Sequence, residues 1–430
     1  MTRSRDRLEQ ALERIADPQG EGARACLTLH ALAARADADA ADRRAADGGT
    51  LGPLDGVIVT IKDLFDVAGE VTRAGSKLLA REGEPARADA LAVKRLRAAG
   101  AVIVAKTNMT EFAFSGVGTN PHFGTPGNPA DRARVPGGST SGGAVAVADG
   151  MCEIAIGTDT GGSTRVPAAL CGIVGFKPSK LRVPVDGAFP LSYSLDSVGP
   201  MARTVAECIA ADAVLADEVP LPNAAPALAG QRLGLVRDLP LRDMVGAVAG
   251  AFEAALTTLA AAGARLVETA PAALDVAARV NARGGIVPAE AFAIHRERLT
   301  RAADAFDPNV RARILRAETM SAADYIANCR ERIAGVAQMD EAIADFDALV
   351  MPTTPIVAPT IAEVAEPAAF ADRNMLLLRN TALVNFFDLC AVSLPLPVSG
   401  LPCGLMLVGR NGHDHALMRL ALAVERVLAR

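Results

Sequence analysis

The chain has 430 residues, half of them apolar, with no tryptophan, 3% aromatic residues and a formal net charge of −5. That length suits one large α/β domain or two to three smaller ones, with packing left to Ala, Val and Leu. The mild charge and the lack of a basic run argue against a nucleic-acid or anionic-membrane surface, and no apolar run reaches the length of a membrane span.

Residues 1–50 read as two helices, with Leu8, Leu12 and Ile15 at helical spacing and no apolar signal core. GVIVTI (56–61) is a short strand ending at Lys62. ADALAVKRLRAAG follows as a helix closed by Gly100, and AVIVAKTN as a strand. GGAVAVADG reads as a helix, CEIAIG as a buried strand running into TDTGGS, STRVPAALCG as a helix and GIVGFKP as a strand. Such alternation predicts a mostly parallel sheet. A Pro/Ala-rich connector spans 216–231. Beyond it come the strand RLGLVRD, an alanine-rich helix, a charged helical stretch from about 289 to 333, and the strand and Pro-rich loop ALVMPTTPIVAP. The C-terminal part returns to sheet character and ends in a helix. The seven cysteines (Cys26, Cys152, Cys171, Cys208, Cys329, Cys390, Cys403) are scattered without a CxxC, and read as buried reduced thiols of a cytoplasmic protein. The five histidines lack ligand spacing. His413 and His415 read as a solvated turn, and no metal site is expected.

The segment VPGGSTSGGAVAVADGMCEIAIGTDTGGSTRVP (135–167) concentrates glycine and hydroxyl groups. Strand and helix patterns interleave its glycines, so it is no flexible linker. GxxxxGK[ST] is absent, and GVGTNP at Gly116 lacks a third glycine, so it is no phosphate cradle. A glycine-rich strand-to-helix turn still converges backbone N–H groups on one spot, which serves an oxyanion when a nucleophile stands in the same turn. Ser163 offers that nucleophile, with the N–H groups of Thr160, Gly161, Gly162 and Ser163 as donors. No histidine lies nearby, so the base is a lysine made neutral by burial. Lys62 and Lys106, each at the end of an apolar run, both fit on composition.

Here the sequence resembles the amidase signature family of serine hydrolases. The resemblance is carried by GTDTGGSTRVPAALCGIVGFKP (157–178), by VPGGSTSGG, by LDGVIVTIKDLFDV (54–67), and by SLDSVGPMART, DALVMPTTP and LPCGLMLVG, from about Leu51 to the end. It implies Ser163 as nucleophile, Ser139 as the bridging serine twenty-four residues upstream, held by a cis Gly138–Ser139 peptide, and Lys62 rather than Lys106 as the base. It implies a single α/β domain with a mixed central sheet of many strands flanked by helices. Within it lie N-terminal helices (1–50), a catalytic core (51–215), a peripheral helical layer (about 231–342) and a C-terminal return to the sheet (346–430). Met109, Phe112, Phe114 and Ser115 fall in a segment that lines the acyl pocket of relatives, with core packing the competing reading for the two phenylalanines. Asp159 and Arg165 are expected to brace the nucleophile turn as an ion pair. Two departures stand out: Met406 where the family often has Gln, and Asp388 where Gly is common. Both are expected in the half of the fold that shapes the substrate site, and the Asp388 variant resembles allophanate-hydrolase-like and other small-amide members.

The resulting expectation is a free-standing amidase that cleaves a small amide to a carboxylate and ammonia or an amine, without a cofactor. The alternatives are an ammonia-supplying chain like the A subunit of glutamyl-tRNA(Gln) amidotransferase, a hydrolase of esters, hydrazides or allophanate-like acyl compounds, and a non-catalytic binder. The resemblance also admits a homodimer built on the N-terminal helices.

Overall fold

The apolar runs become eleven strands in the computed structural model, which describes residues 3–220, 222 and 224–429. They are β1 (Cys26–Leu29), β2 (Ile58–Lys62), β3 (Val102–Thr107), β4 (Ile154–Thr158), β5 (Val174–Lys177), β6 (Val198–Ala202), β7 (Arg232–Val236), β8 (Arg265–Thr269), β9 (Ala348–Pro352), β10 (Cys390–Pro395) and β11 (Gly404–Gly409). All join one sheet in the order β1-β3-β2-β4-β6-β5-β10-β11-β9-β7-β8. β2 runs parallel to β3 and β4, and β7 parallel to β8 and β9. The other six pairings are antiparallel. The sheet is therefore mixed, which corrects the mostly parallel expectation. Helical crossovers build the two parallel wings, whereas β6, β5, β10 and β11 alternate in direction between them.

Side chains partition across the sheet with period two. Val59, Ile61, Ala348 and Val350 face one core, packed by helices Leu91–Ala98, Val205–Ala216, Gly246–Ala261 and Asp414–Leu428. Ile58 and Ala155 face the opposite core with helices Ser4–Ala16, Ala31–Ala46, Ser141–Ala148 and Arg165–Cys171. Leu349 and Met351 face the same side further along, under helices Leu274–Ala282, Ala322–Ala342 and Pro367–Phe386. Burial on both faces explains why so many strands read as continuous apolar runs.

Three boundaries differ from the sequence reading. Between the two N-terminal helices, Cys26–Leu29 forms an edge strand on β3; four residues are too few for a periodic signal. Region 231–342 is not only a helical layer, because it supplies β7 and β8 to the sheet edge. Its charged stretch divides into helices Val287–Ala302, Pro308–Leu315 and Ala322–Ala342, with Pro308 and a Ser321 capping box starting the latter two. Residues 221 and 223 of the Pro/Ala-rich connector lie outside the described residues. Among the described residues no helix is long and apolar enough to cross a membrane.

Candidate active site

Two parallel strand ends begin the site. Lys62 closes β2 and Thr158 closes the neighbouring β4. The turn before helix Ser141–Ala148 brings Ser139 to them. Lys62 Nζ donates to Ser139 Oγ at 2.7 Å and to Thr158 Oγ1 at 2.9 Å. The Gly138–Ser139 peptide is cis. A side chain at Gly138 would sit 2.7 Å from the Gly118 Cα, so this turn admits only glycine. Lys62 is fully buried. That burial lowers its pKa to about 7, against the opposing pull of the Asp159 and Asp196 charges. Lys106, equally buried, differs in kind: its ammonium lies 3.3 Å from the Asp63 carboxylate, which also holds Arg73. Lys62 has only hydroxyls in hydrogen-bond reach.

After Thr158 the chain folds around the Asp159 carboxylate. Asp159 accepts from Arg165 Nη2 at 2.8 Å and Nε at 3.1 Å, from the Thr164 N–H and hydroxyl, and from Asn385 Nδ2. Burial alone would raise this carboxyl, but the Arg165 charge and these donors hold it well below the usual range. Gly162 N also donates to Asp159 Oδ1, at 2.8 Å. This corrects the expected set of four oxyanion donors: the buried carboxylate draws the Gly162 N–H inward, while the N–H groups of Thr160, Gly161 and Ser163 have no acceptor among the described residues. Gly162 has φ +138°, and a Cβ there would meet Thr381 Oγ1 at 2.2 Å. Thr140 N donates to the Ser163 carbonyl at 3.3 Å, which sets the Ser139 turn against the Ser163 turn.

Ser163, Thr160 and Gly161 line a cavity of about 410 Å³ together with Phe114 and Ser115. Met109, expected to line it, is fully buried in the core instead. The cause is the backbone between them. Phe112 and Ala113 have φ of +51° and +59°, which turns Phe112 into a stack with Phe189, His295 and Phe306 and turns Phe114 to the cavity. Met406 and Asp388 do not line the cavity. Met406 Sδ receives Arg165 Nη1 at 3.3 Å. Asp388 occupies a left-handed position (φ +59°) and is ion-paired with Arg332, so it stands in for glycine at a turn that disfavours most side chains.

Several side chains at the site escape a reading of the sequence. Thr158, the second partner of Lys62, lies in the quoted motif but looks like an ordinary strand residue. Thr381 and Asn385 come from helix Pro367–Phe386, more than two hundred residues from the turn they brace. Asp196, which accepts from Thr160 Oγ1 at 2.5 Å, lies in SLDSVGPMART, where nothing local marks it for a role. Arg313 and Arg316, which line the cavity, sit in a charged stretch that looks like a solvated helix face.

Comparison with known proteins gives the class to which this fold and site belong. The profile of the family described as Amidase matches residues 6–418, and the chain belongs to that family, hydrolases of amide C–N bonds. It is 37% identical over 404 residues to 2-amino-5-chloromuconic acid deaminase of Comamonas testosteroni, covering 92% of this chain and 86% of that one. It is likewise 37% identical over 456 residues to the A subunit of the glutamyl-tRNA(Gln) amidotransferase of Roseiflexus sp. (strain RS-1), covering 97% and 91%. Among solved structures, one described as an amidase superposes with TM-score 0.89 at 35% identity, covering 99% and 96% of the two chains. The native peptide amidase of Stenotrophomonas maltophilia superposes with TM-score 0.81 at 29% identity, covering 99% and 94%.

Proposed function

We propose that this amidase hydrolyses a small amide through an acyl-enzyme on Ser163, with Lys62 as base and Ser139 as relay. The observation that carries the reading is the 2.7 Å contact between a fully buried lysine, without a carboxylate in hydrogen-bond reach, and the Ser139 hydroxyl. The neutral Lys62 amine takes the Ser139 proton while Ser139 Oγ takes that of Ser163. Ser163 Oγ then forms the new C–O bond, and the N–H groups of Thr160, Gly161 and Ser163 receive the charge on the carbonyl oxygen. Ser139 returns the proton to the departing nitrogen as the C–N bond breaks. Water, deprotonated along the same path, cleaves the ester and frees a carboxylate. Asp159 and Arg165 hold the turn and touch no reacting atom. Seven unpaired thiols fit a reducing, cytoplasmic setting.

Ammonia release from a panel of primary amides tests this, with the purified chain alone and Ser163→Ala as blank. Release from one amide class that vanishes in Ser163→Ala is the expected result. Activity that survives in Ser163→Ala excludes the serine as nucleophile. Silence on every amide favours the ammonia-supplying role, and the assay is then repeated with a partner chain.

A further inference from the structure

One wall of the cavity beside Ser163 belongs to no helix or strand. Leu191 and Leu195 line the cavity from the irregular segment between β5 and β6. A segment without a ladder of its own keeps its place through the side-chain bonds made to it. At its inner end, Asp196 accepts from the N–H groups of Leu191 at 2.9 Å and Ser192 at 3.1 Å, which closes the segment on itself. Asp196 also accepts from Thr160 Oγ1 at 2.5 Å, so the wall is tied to the Ser163 turn. Lys180 Nζ donates to the carbonyls of Tyr193 and Asp196, both at 3.1 Å.

The outer hold is a single side chain. Glu290, buried on helix Val287–Ala302, accepts from the Ser192 and Ser194 hydroxyls and from the Ser194 N–H at 3.1 Å. Tyr325 Oη, on helix Ala322–Ala342, donates to the same carboxyl group at 2.6 Å. A buried acid is costly unless its oxygens are bonded, so these donors are held as firmly as they hold it. Ser192 and Ser194 both turn to Glu290, and Leu191 and Leu195 flank them on the cavity wall. Ile286, Val287 and Pro288, at the start of the helix that carries Glu290, line the same cavity. Glu290 therefore joins two walls, and neither its sequence position nor the reaction chemistry accounts for it.

We propose that Glu290 is a positioning residue that sets the size of acyl group the enzyme accepts, by clamping the Leu191–Leu195 wall to helix Val287–Ala302. The proposal rests on the amidase reading above and adds a determinant of its specificity. When a primary amide is cleaved its nitrogen leaves as ammonia, so whatever fills the cavity is the acyl group. A chain of several carbons gains from a fixed apolar wall, and an acetyl group gains little.

The test measures kcat and KM for acetamide, butyramide and hexanamide in the wild type, Glu290→Met and Glu290→Gln. In Glu290→Met the KM for hexanamide should rise about 10-fold relative to that for acetamide, with kcat held within about 2-fold. Glu290→Gln keeps a carbonyl acceptor for the serines and should recover most of the difference. Ser194→Ala should give the same shift in lesser degree, which keeps the test open if Glu290→Met does not fold. A loss equal for all three amides, or one that falls on kcat alone, marks a merely structural role and overturns the proposal, as does an unchanged KM. Binding of hexanamide to Ser163→Ala, followed by NMR titration, separates this from the chemistry. Binding that weakens about 10-fold in Ser163→Ala/Glu290→Met supports the clamp even if no amide turns over. Absence of binding to Ser163→Ala, or equal binding to both, overturns it even if amides are cleaved.

Discussion

Lys62 shows how one side chain is given its chemistry by its surroundings. Burial lowers its pKa to about 7 from 10.5, so the amine is neutral on the alkaline side, as the proposed base must be. The kcat/KM profile should therefore climb with unit slope as pH rises and level off above about 7. A profile flat from pH 5 to 8 would remove Lys62 as the base. Lys62→Met should lose roughly 10³-fold in kcat, the scale of general-base catalysis. The same residue costs stability. Between about pH 7 and 10.5 the unfolded chain binds the proton that the folded chain releases, so the stability of the native enzyme rises with pH across that window. Near pH 8 the cost is on the order of 3 kcal/mol, partly offset in Lys62→Met by the unpaired Ser139 and Thr158 hydroxyls at about 1 kcal/mol each. Urea unfolding should find Lys62→Met more stable by about 1 kcal/mol at pH 8, equal to the wild type near pH 9 and less stable by about 1 kcal/mol near pH 10. An apolar strand ending in lysine spells desolvation in the sequence, but Lys106 fits that pattern as well as Lys62, and the family resemblance made the choice between them. Arg313 could not be read in sequence, since an arginine among charged helical residues carries no sign that it lines a cavity.

At the scale of elements, the Ser163 turn is a shared product of β4, helix Arg165–Cys171 and helix Pro367–Phe386. Asp159 binds the three together, with Arg165 from one helix and Asn385 from the other, all buried. Removing one partner of such a pair leaves a buried charge unmet. Arg165→Met should therefore destabilise the fold by about 3–5 kcal/mol in denaturant unfolding. A loss below about 1 kcal/mol would show that the pair does not brace the turn. The strands with clean apolar runs and the helices with caps were legible. β6 was not, because Pro200 and Gly199 argue against a central strand. In fact Gly199 permits the approach of β5, where a side chain would lie 2.2 Å from the Phe176 carbonyl oxygen. β8 escaped because its edge position leaves it polar and half exposed. The loop to Phe114 misled in another way: positive φ at Phe112 and Ala113 reverses which side chains reach the cavity, and no periodicity reports that.

Over the whole molecule, the sheet acts as a frame on which distant parts of the chain meet. Lys62 and the Ser163 turn come from neighbouring parallel strands. The wall opposite is built from helices of the 274–386 region, where Arg313 lies. The glycine turns beside the strand ends were readable because their patterns are local, whereas the contact of Lys62 with Ser139, 77 residues on, is made only by the fold. The substrate half was not readable, since its residues converge only through the fold. Everything proposed for this enzyme turns on the scissile carbonyl passing onto Ser163. Mass spectrometry of enzyme quenched in acid during turnover of its best amide detects that transfer. An adduct of the acyl group's mass is expected on the peptide containing Ser163, absent in Ser163→Ala. Turnover with no adduct on that peptide and a burst-free time course, or an adduct on another residue, would rule the acyl-enzyme on Ser163 out.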